Sequence, residues 1–275
     1  MEKLPVLANI KDLGIILEAC NEFDKGLNLL KSNEARLISP RDEAYARLQT
    51  KGKENLGKEY GTWTTAGFEY IKGELPILRL NSRLLNPNLA KQAVEANRNS
   101  DYFSTDSTKE YELSRKQAEK DKNKDPMDRS VIILPSRDNF KISYKENKES
   151  SKAILKDQAE PYFELNNGPI TVYPASTKIV DNQNGTILTQ LWFRSLGFGS
   201  GFGGLGRNLN YVGGVRGVRL EREASQKNID RLPYTQRDLN RNLRILNEIK
   251  QGNVKISDLE SKLGAVEGFL QNLKR

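Results

Sequence analysis

Ser195-Leu196-Gly197-Phe198-Gly199-Ser200-Gly201-Phe202-Gly203-Gly204-Leu205-Gly206-Arg207-Asn208-Leu209-Asn210-Tyr211-Val212-Gly213-Gly214 is the stretch on which the reading of this chain turns. Gly199-x-Gly201-x-x-Gly204 matches the dinucleotide fingerprint in form. That fingerprint needs a strand before it and a helix opening at its end, and here glycine, Asn and aromatics follow instead. No Gly-Lys-Ser/Thr completes a P-loop. A solvated linker tolerates Gly and Ser but does not carry Phe198, Phe202, Leu205 and Tyr211 so regularly. RNA binding by stacked rings is a further reading. Only Arg207 is charged within the stretch, so Arg194, Arg216 and Arg219 would have to neutralise phosphates.

The residue alphabet is narrower than any of these readings requires. Apart from Arg207, the stretch uses Ser, Leu, Gly, Phe, Asn, Tyr and Val, while Lys, Glu, Gln, Met and Trp are missing. Randomising the two adenines of an Asn codon, with its third base held, gives outcomes that include those seven types and never the missing five or a stop. The flanks differ in character. Leu191-Trp192-Phe193-Arg194 reads as a strand, and Val215-Arg216-Gly217-Val218-Arg219-Leu220 alternates apolar and basic residues like a strand with one buried face. Asn184-Gly185 predicts a hairpin turn joining Thr177-Lys178-Ile179-Val180 to the strand from Ile187 to Phe193, and the turn is preferred over the sequon Asn184-Gly185-Thr186 as the meaning of that Asn.

Further upstream, Ile10, Leu13, Ile16, Leu17 and Cys20 recur at helical spacing and predict an amphipathic helix from Ile10 to Phe23. Ser39-Pro40-Arg41-Asp42 is a helix start, with Ser39 as cap and Pro40 in the first turn. Leu75 to Leu80 reads as a strand, Asn86-Pro87 opens a helix through Ala96, and Ser107 to Arg129, with pairs such as Glu112/Lys116, reads as a solvated charged helix or a mobile excursion. Val131 to Leu134 and Pro169 to Tyr173 read as strands, and Ser150 to Ala159 as helix. Near the end, Leu239, Leu243, Leu246 and Ile249 form one helical stripe. After Gly252-Asn253, a capping box of Ser257 and Glu260 opens a second, with Leu259, Leu263, Val266, Leu270 and Leu273. This is a helical hairpin that packs back on the domain or pairs with another copy.

Taken together, the restricted alphabet and its fixed flanks resemble the variable proteins of diversity-generating retroelements, which display a diversified patch near the end of a C-type-lectin-like domain. Arg36-Leu37-Ile38-Ser39-Pro40-Arg41-Asp42-Glu43-Ala44-Tyr45-Ala46 is similar to the Arg-Leu-Pro-Thr-x-x-Glu-Trp-Glu-Tyr-Ala helix of the formylglycine-generating-enzyme branch of that fold, with Ile38 in place of the proline. The resemblance covers the N-terminal helices and about 187–220. It implies an α+β C-type-lectin-like domain over about 1–221, with a charged insertion over about 85–152 and a variable region over about 191–219, followed by the helical hairpin at 222–275. It implies ligand binding at Ser195, Gly197, Phe198, Gly199, Ser200, Gly201, Phe202, Gly203, Leu205, Asn208, Asn210, Tyr211, Val212, Gly213 and Gly214, with Trp192 and Val218 holding the frame. Leu196 and Leu209 have core plugs as their structural alternative. The partner implied is a protein or cell-surface ligand, and a reverse transcriptase would be encoded nearby.

Composition narrows the alternatives. The 275 residues carry 44 basic and 36 acidic side chains, a net +8, with no histidine and a single cysteine, Cys20. Histidine-dependent triads, His-ligated zinc and cysteine clusters are therefore excluded, as is a disulfide within the chain. The branch's enzymatic activity depends on a reactive cysteine pair, so a binding protein without cofactor or metal is expected rather than an enzyme. Cys20 reads as a small buried hydrophobe. The rivals are a nucleic-acid-binding protein, for which the charge excess is modest, and a carboxylate- or lysine-dependent enzyme, for which the sequence offers unplaced pairs such as Asp42/Glu43. The first residues form no secretory leader and no run is long enough to span a bilayer, so a cytoplasmic protein is expected, with display on a virion or cell surface by another route as the alternative.

Overall fold

The computed structural model describes residues 3–20, 22–50, 56, 61–106, 108–138, 141–194, 201–204, 209–210 and 214–220. The chain divides into two compact units, Met1–Arg219 and Leu220–Arg275. The expected helical hairpin lies outside the described residues.

The N-terminal segment corrects the helix expected from Ile10 to Phe23. It is an antiparallel hairpin of β1 (Val6–Ile10) and β2 (Gly14–Glu18). Asp12 at φ 65° and Gly14 at φ 111° occupy the left-handed region, which no α-helix passes through. The helical spacing arose because β2 is buried on both faces, with Ile16 and Leu17 packed into different clusters. Cys20 follows the hairpin, half-buried and outside any helix, and its thiol donates to the Glu22 carbonyl at 3.1 Å. Burial, above all, raises its pKa.

Then come α1 (Phe23–Ser32), β3 (Arg36–Leu37) and α2 (Pro40–Gln49). The Ser39 hydroxyl accepts the Asp42 N–H and Pro40 sits in the first turn, as the motif predicts. After β4 (Thr62–Tyr70) and β5 (Ile77–Arg79), Asn86 caps α3 (Pro87–Arg98) by accepting the N–H groups of Asn88 and Leu89. β6 (Ser104–Thr105), the charged α4 (Thr108–Asp121) and β7 (Val131–Ile133) follow. α5 (Tyr144–Leu155) starts from a Ser143/Glu146 capping box, and α6 (Ala159–Leu165), β8 (Thr171–Tyr173) and α7 (Thr177–Asp181) lead to β9 (Thr186–Phe193), β10 (Gly201–Gly203) and β11 (Gly214–Arg219).

Thr177 to Val180, expected as the hairpin partner of β9, is helix α7. The Asn184-Gly185 turn links a helix to a strand, with Gly185 at φ 76°. β9 pairs instead with β4 on one side and, at its two ends on the other, with β6 and β10.

Among the described residues the strands form one mixed sheet with the path β1-β2-β11-β4-β9-β10-β8. β4 is its spine. Antiparallel β9 pairs with it across a bulge between Trp63 and Gly67, while parallel β11 and antiparallel β5 share its other side. The expected α+β class therefore holds. Along β9, Ile187, Leu191 and Phe193 point into a cluster shared with α2, α5 and α6, while Leu188 and Trp192 face a cluster shared with α1 and α3. This is the period-two alternation of a strand covered on both faces. No helix among the described residues is long and apolar enough to cross a membrane.

Candidate functional site

The sheet order fixes where the glycine-rich stretch begins and ends. Phe193, the last residue of β9, pairs with Thr62, and Gly214, the first of β11, pairs with the same Thr62 from the other side. The chain therefore leaves and rejoins the sheet at one level, on either side of β4. The Thr62 hydroxyl donates to the Gly214 carbonyl at 2.8 Å.

A buried ionic cluster on α2 holds both ends. Glu43 and Arg47 are one helical turn apart and fully buried, with Arg47 Nε donating to Glu43 Oε1 at 2.8 Å. Arg216 of β11, 2% exposed, donates to the same oxygen at 2.9 Å. Glu43 Oε2 has no hydrogen-bond partner among the described residues. From this base the Arg47 guanidinium reaches the carbonyls of Arg194 at 2.7 Å and Phe193 at 3.4 Å, and the Tyr162 hydroxyl at 3.1 Å. It also stacks on the Phe193 ring, 4.2 Å from its centroid. One helix turn thus fixes the exit of β9 through Arg47 and the start of β11 through Arg216. β11 was expected to bury one face only. Residues 214–218 are all buried, and the charge of Arg216 sits inside because Glu43 neutralises it.

The described parts of the stretch are framework, which corrects several expected contact positions. Phe202 is fully buried, its ring 4.7 Å from that of Phe193, so it packs the core instead of facing a partner. Gly201, Gly203 and Gly214 are buried strand residues. A Cβ on Gly201 would lie 2.5 Å from the Tyr173 ring, and one on Gly214 2.7 Å from a Glu18 carboxylate oxygen. Leu209 is a core plug, 1% exposed. Its N–H donates to Asn97 Oδ1 at 3.1 Å, and its carbonyl accepts from the Phe23 N–H at 2.8 Å. Asn210 is half-buried and its Oδ1 lacks a hydrogen-bond partner among the described residues. Ser195, Gly197, Phe198, Gly199, Ser200, Leu205, Asn208, Tyr211, Val212 and Gly213 lie outside the described residues. Of the frame residues, Val218 is buried; Trp192 is half-buried and packs on the buried Trp63 at 4.8 Å.

Two adjacent glycines separate constraint from tolerance. A Cβ on Gly204 would meet the buried Tyr70 hydroxyl at 2.3 Å and the Phe68 ring at 2.7 Å, whereas one on Gly203 would find no atom of the described residues closer than 3.7 Å. Gly204→Ala is expected to lower stability by about 1–3 kcal/mol through overpacking. Gly203→Ala is expected to stay within about 0.5 kcal/mol of the parent. Urea denaturation of the two variants checks the pair.

The carboxylate pair that the sequence singled out, Asp42/Glu43, is ion-paired. Asp42 accepts from the Ser39 hydroxyl and pairs with Arg36 and Arg41, and Glu43 serves the buried cluster. Glu69, which the sequence did not single out, is 2% exposed; burial raises its pKa and Arg79 opposes that shift. A cavity of about 550 Å³ between α4, β7 and α5 is walled by Tyr111, Ala118 and Val131 and rimmed by Arg115, Glu119 and Glu149, without Glu69.

No protein-family model matches the chain, and no curated protein matches it. A solved structure from work on the accommodation of massive sequence variation in Nanoarchaeota by the C-type lectin fold is similar to this chain, with a TM-score of 0.47 and 13% identity over 77% of this chain and 98% of the other.

Proposed function

We propose that the protein binds a protein or cell-surface ligand through a diversified surface between β9 and β11, on a C-type-lectin-type frame like that of retroelement variable proteins. The observation that carries this reading is the pairing of a restricted residue alphabet with ends held by buried groups. The stretch Ser195 to Gly214 starts and finishes beside Thr62, with Arg47 and Arg216 on its flanks and Phe202 and Leu209 packed in the core. A frame held in this way tolerates substitution wherever the stretch faces solvent, since exposed loop changes usually cost little stability. Small and aromatic side chains suit recognition, since rigid rings give contact area at low entropic cost. Binding rather than catalysis fits the ion-paired state of Asp42 and Glu43. Nucleic-acid binding loses one of its three flanking cations, because Arg216 is turned inward to Glu43.

The test is the DNA beside the gene. A second copy of the codons for about Leu191 to Arg219 is expected, differing from this one at adenines, next to a reverse-transcriptase gene. The differences should fall outside the codons for Phe202, Gly204 and Leu209. Absence of the repeat, or mismatches spread over all bases, overturns the reading.

A further inference from the structure

We infer that Arg194, stacked on Tyr173 and flanked by Trp192, is a fixed anchor for a carboxylate, taking an Asp or Glu side chain of a protein partner at the root of the variable stretch. The inference rests on the binding reading for the location of the partner.

In the β8-β10-β9 part of the sheet, Val172, Phe202 and Phe193 point into the core and all three are fully buried. Tyr173 and Trp192 therefore stand on the opposite face, with Gly201 and Gly203 between them. Because the glycines carry no side chain, Tyr173 lies against Gly201, and the position of a Cβ on Gly203 is 3.7 Å from Trp192 Cβ and 3.9 Å from Arg194 Nε. The Arg194 guanidinium lies over the Tyr173 ring, 4.7 Å from its centroid. Tyr173, Trp192 and Arg194 are each half-buried.

The backbone of Arg194 is locked on both sides. Its N–H donates to the Gly201 carbonyl at 3.0 Å, and its carbonyl accepts from the buried Arg47 at 2.7 Å. Among the described residues no carboxylate pairs with its guanidinium. Stacking on a ring covers one face of the guanidinium and leaves its in-plane N–H fork for a ligand, which is the geometry of bidentate carboxylate recognition. The basic residue Arg216 of β11 is spent on Glu43, so among the described residues the site presents one cation and suits one carboxylate. A nucleic-acid backbone would call for a row of cations. Rigid placement favours affinity, since little side-chain freedom remains to be lost on binding.

The experiment is an NMR titration of the full ¹⁵N-labelled chain with acetyl-Gly-Glu-Gly-amide, its Gln counterpart and inorganic phosphate. The Glu peptide is expected to shift the Arg194 Nε–H and Trp192 indole N–H signals, binding about fivefold or more tightly than the Gln peptide, the ratio of one charge-assisted pair. Arg194→Gln should abolish the preference, Arg194→Lys should keep the charge yet lose most of the gain, and Tyr173→Leu should weaken binding several-fold. Equal response to the Gln peptide, or a stronger response to phosphate, overturns the assignment. A missing template repeat would remove the diversified surface and leave this titration unchanged, whereas a null titration beside an intact repeat would remove the anchor alone.

Discussion

Glu43→Ala is expected to lower the stability of the chain by about 3–5 kcal/mol, because it strips the counter-charge from two arginines that stay buried. Arg47 and Arg216 are 0% and 2% exposed at their side chains, and both donate to the same Glu43 oxygen. At roughly 2–4 °C per kcal/mol for a unit of this size, the melting temperature should drop by about 6–20 °C. Glu43→Gln keeps the shape but not the charge, so it should recover only part of the loss. An apolar replacement of all three (Glu43→Leu, Arg47→Met, Arg216→Met) is the informative comparison. Buried ion clusters exchanged for well-packed apolar groups are often neutral in stability. The bonds from Arg47 to the carbonyls of Phe193 and Arg194 would still be gone. Stability close to the parent, with faster amide exchange at Gly201 and Arg194, is the expected result. An unchanged exchange rate would mean that the strands alone hold the ends of the stretch.

Why this cluster was only half legible is instructive. The Ser39-Pro40-x-Asp42 start of α2 is local chemistry, and the structure keeps it. The i,i+4 spacing of Glu43 and Arg47 is also visible in the chain, but such pairs are ordinarily solvated. Its burial depends on Arg216, 173 positions away from Glu43 in sequence. By alternation alone, the basic residues of β11 look like a wet face, since period-two patterning cannot separate a charge facing water from one facing a buried counter-ion. The same limit explains the N-terminal error. Ile16 and Leu17 are neighbours buried on opposite sides of β2, and a strand covered on both faces yields apolar runs that also satisfy helical spacing. The decisive local signal was the Asp12-Leu13-Gly14 turn.

Within the stretch itself, composition marked an unusual segment but not which of its residues belong to the frame. Tyr173, from β8, and Arg47, from α2, were not singled out, because each acquires its role only when distant strands are set side by side. Sequence alone shows Arg194 as a cation at the end of a strand, and the ring beneath it lies 21 positions earlier in a strand that pairs with β10 rather than with β9.

Phe202→Ala is expected to behave as a core mutation, losing about 3–5 kcal/mol, instead of as the removal of a ligand contact. The ring is fully buried, tilted against Phe193 at 4.7 Å, and Phe193 in turn meets Tyr162 at 5.5 Å and the Arg47 guanidinium. Truncation opens a void beside the Phe193 ring, so the loss should fall toward the upper end of the range unless the neighbours collapse into it. Phe202→Leu, which refills much of the volume, should return more than half of the stability. Phe198 differs from Phe202 by four positions and by nothing in residue type, yet under the proposed function Phe198→Ala should alter recognition and leave the urea midpoint within the range of a surface change. Measuring both variants by urea denaturation separates frame from face. If Phe202→Ala were neutral and Phe198→Ala severe, the division between packed and partner-facing aromatics would have to be drawn the other way round.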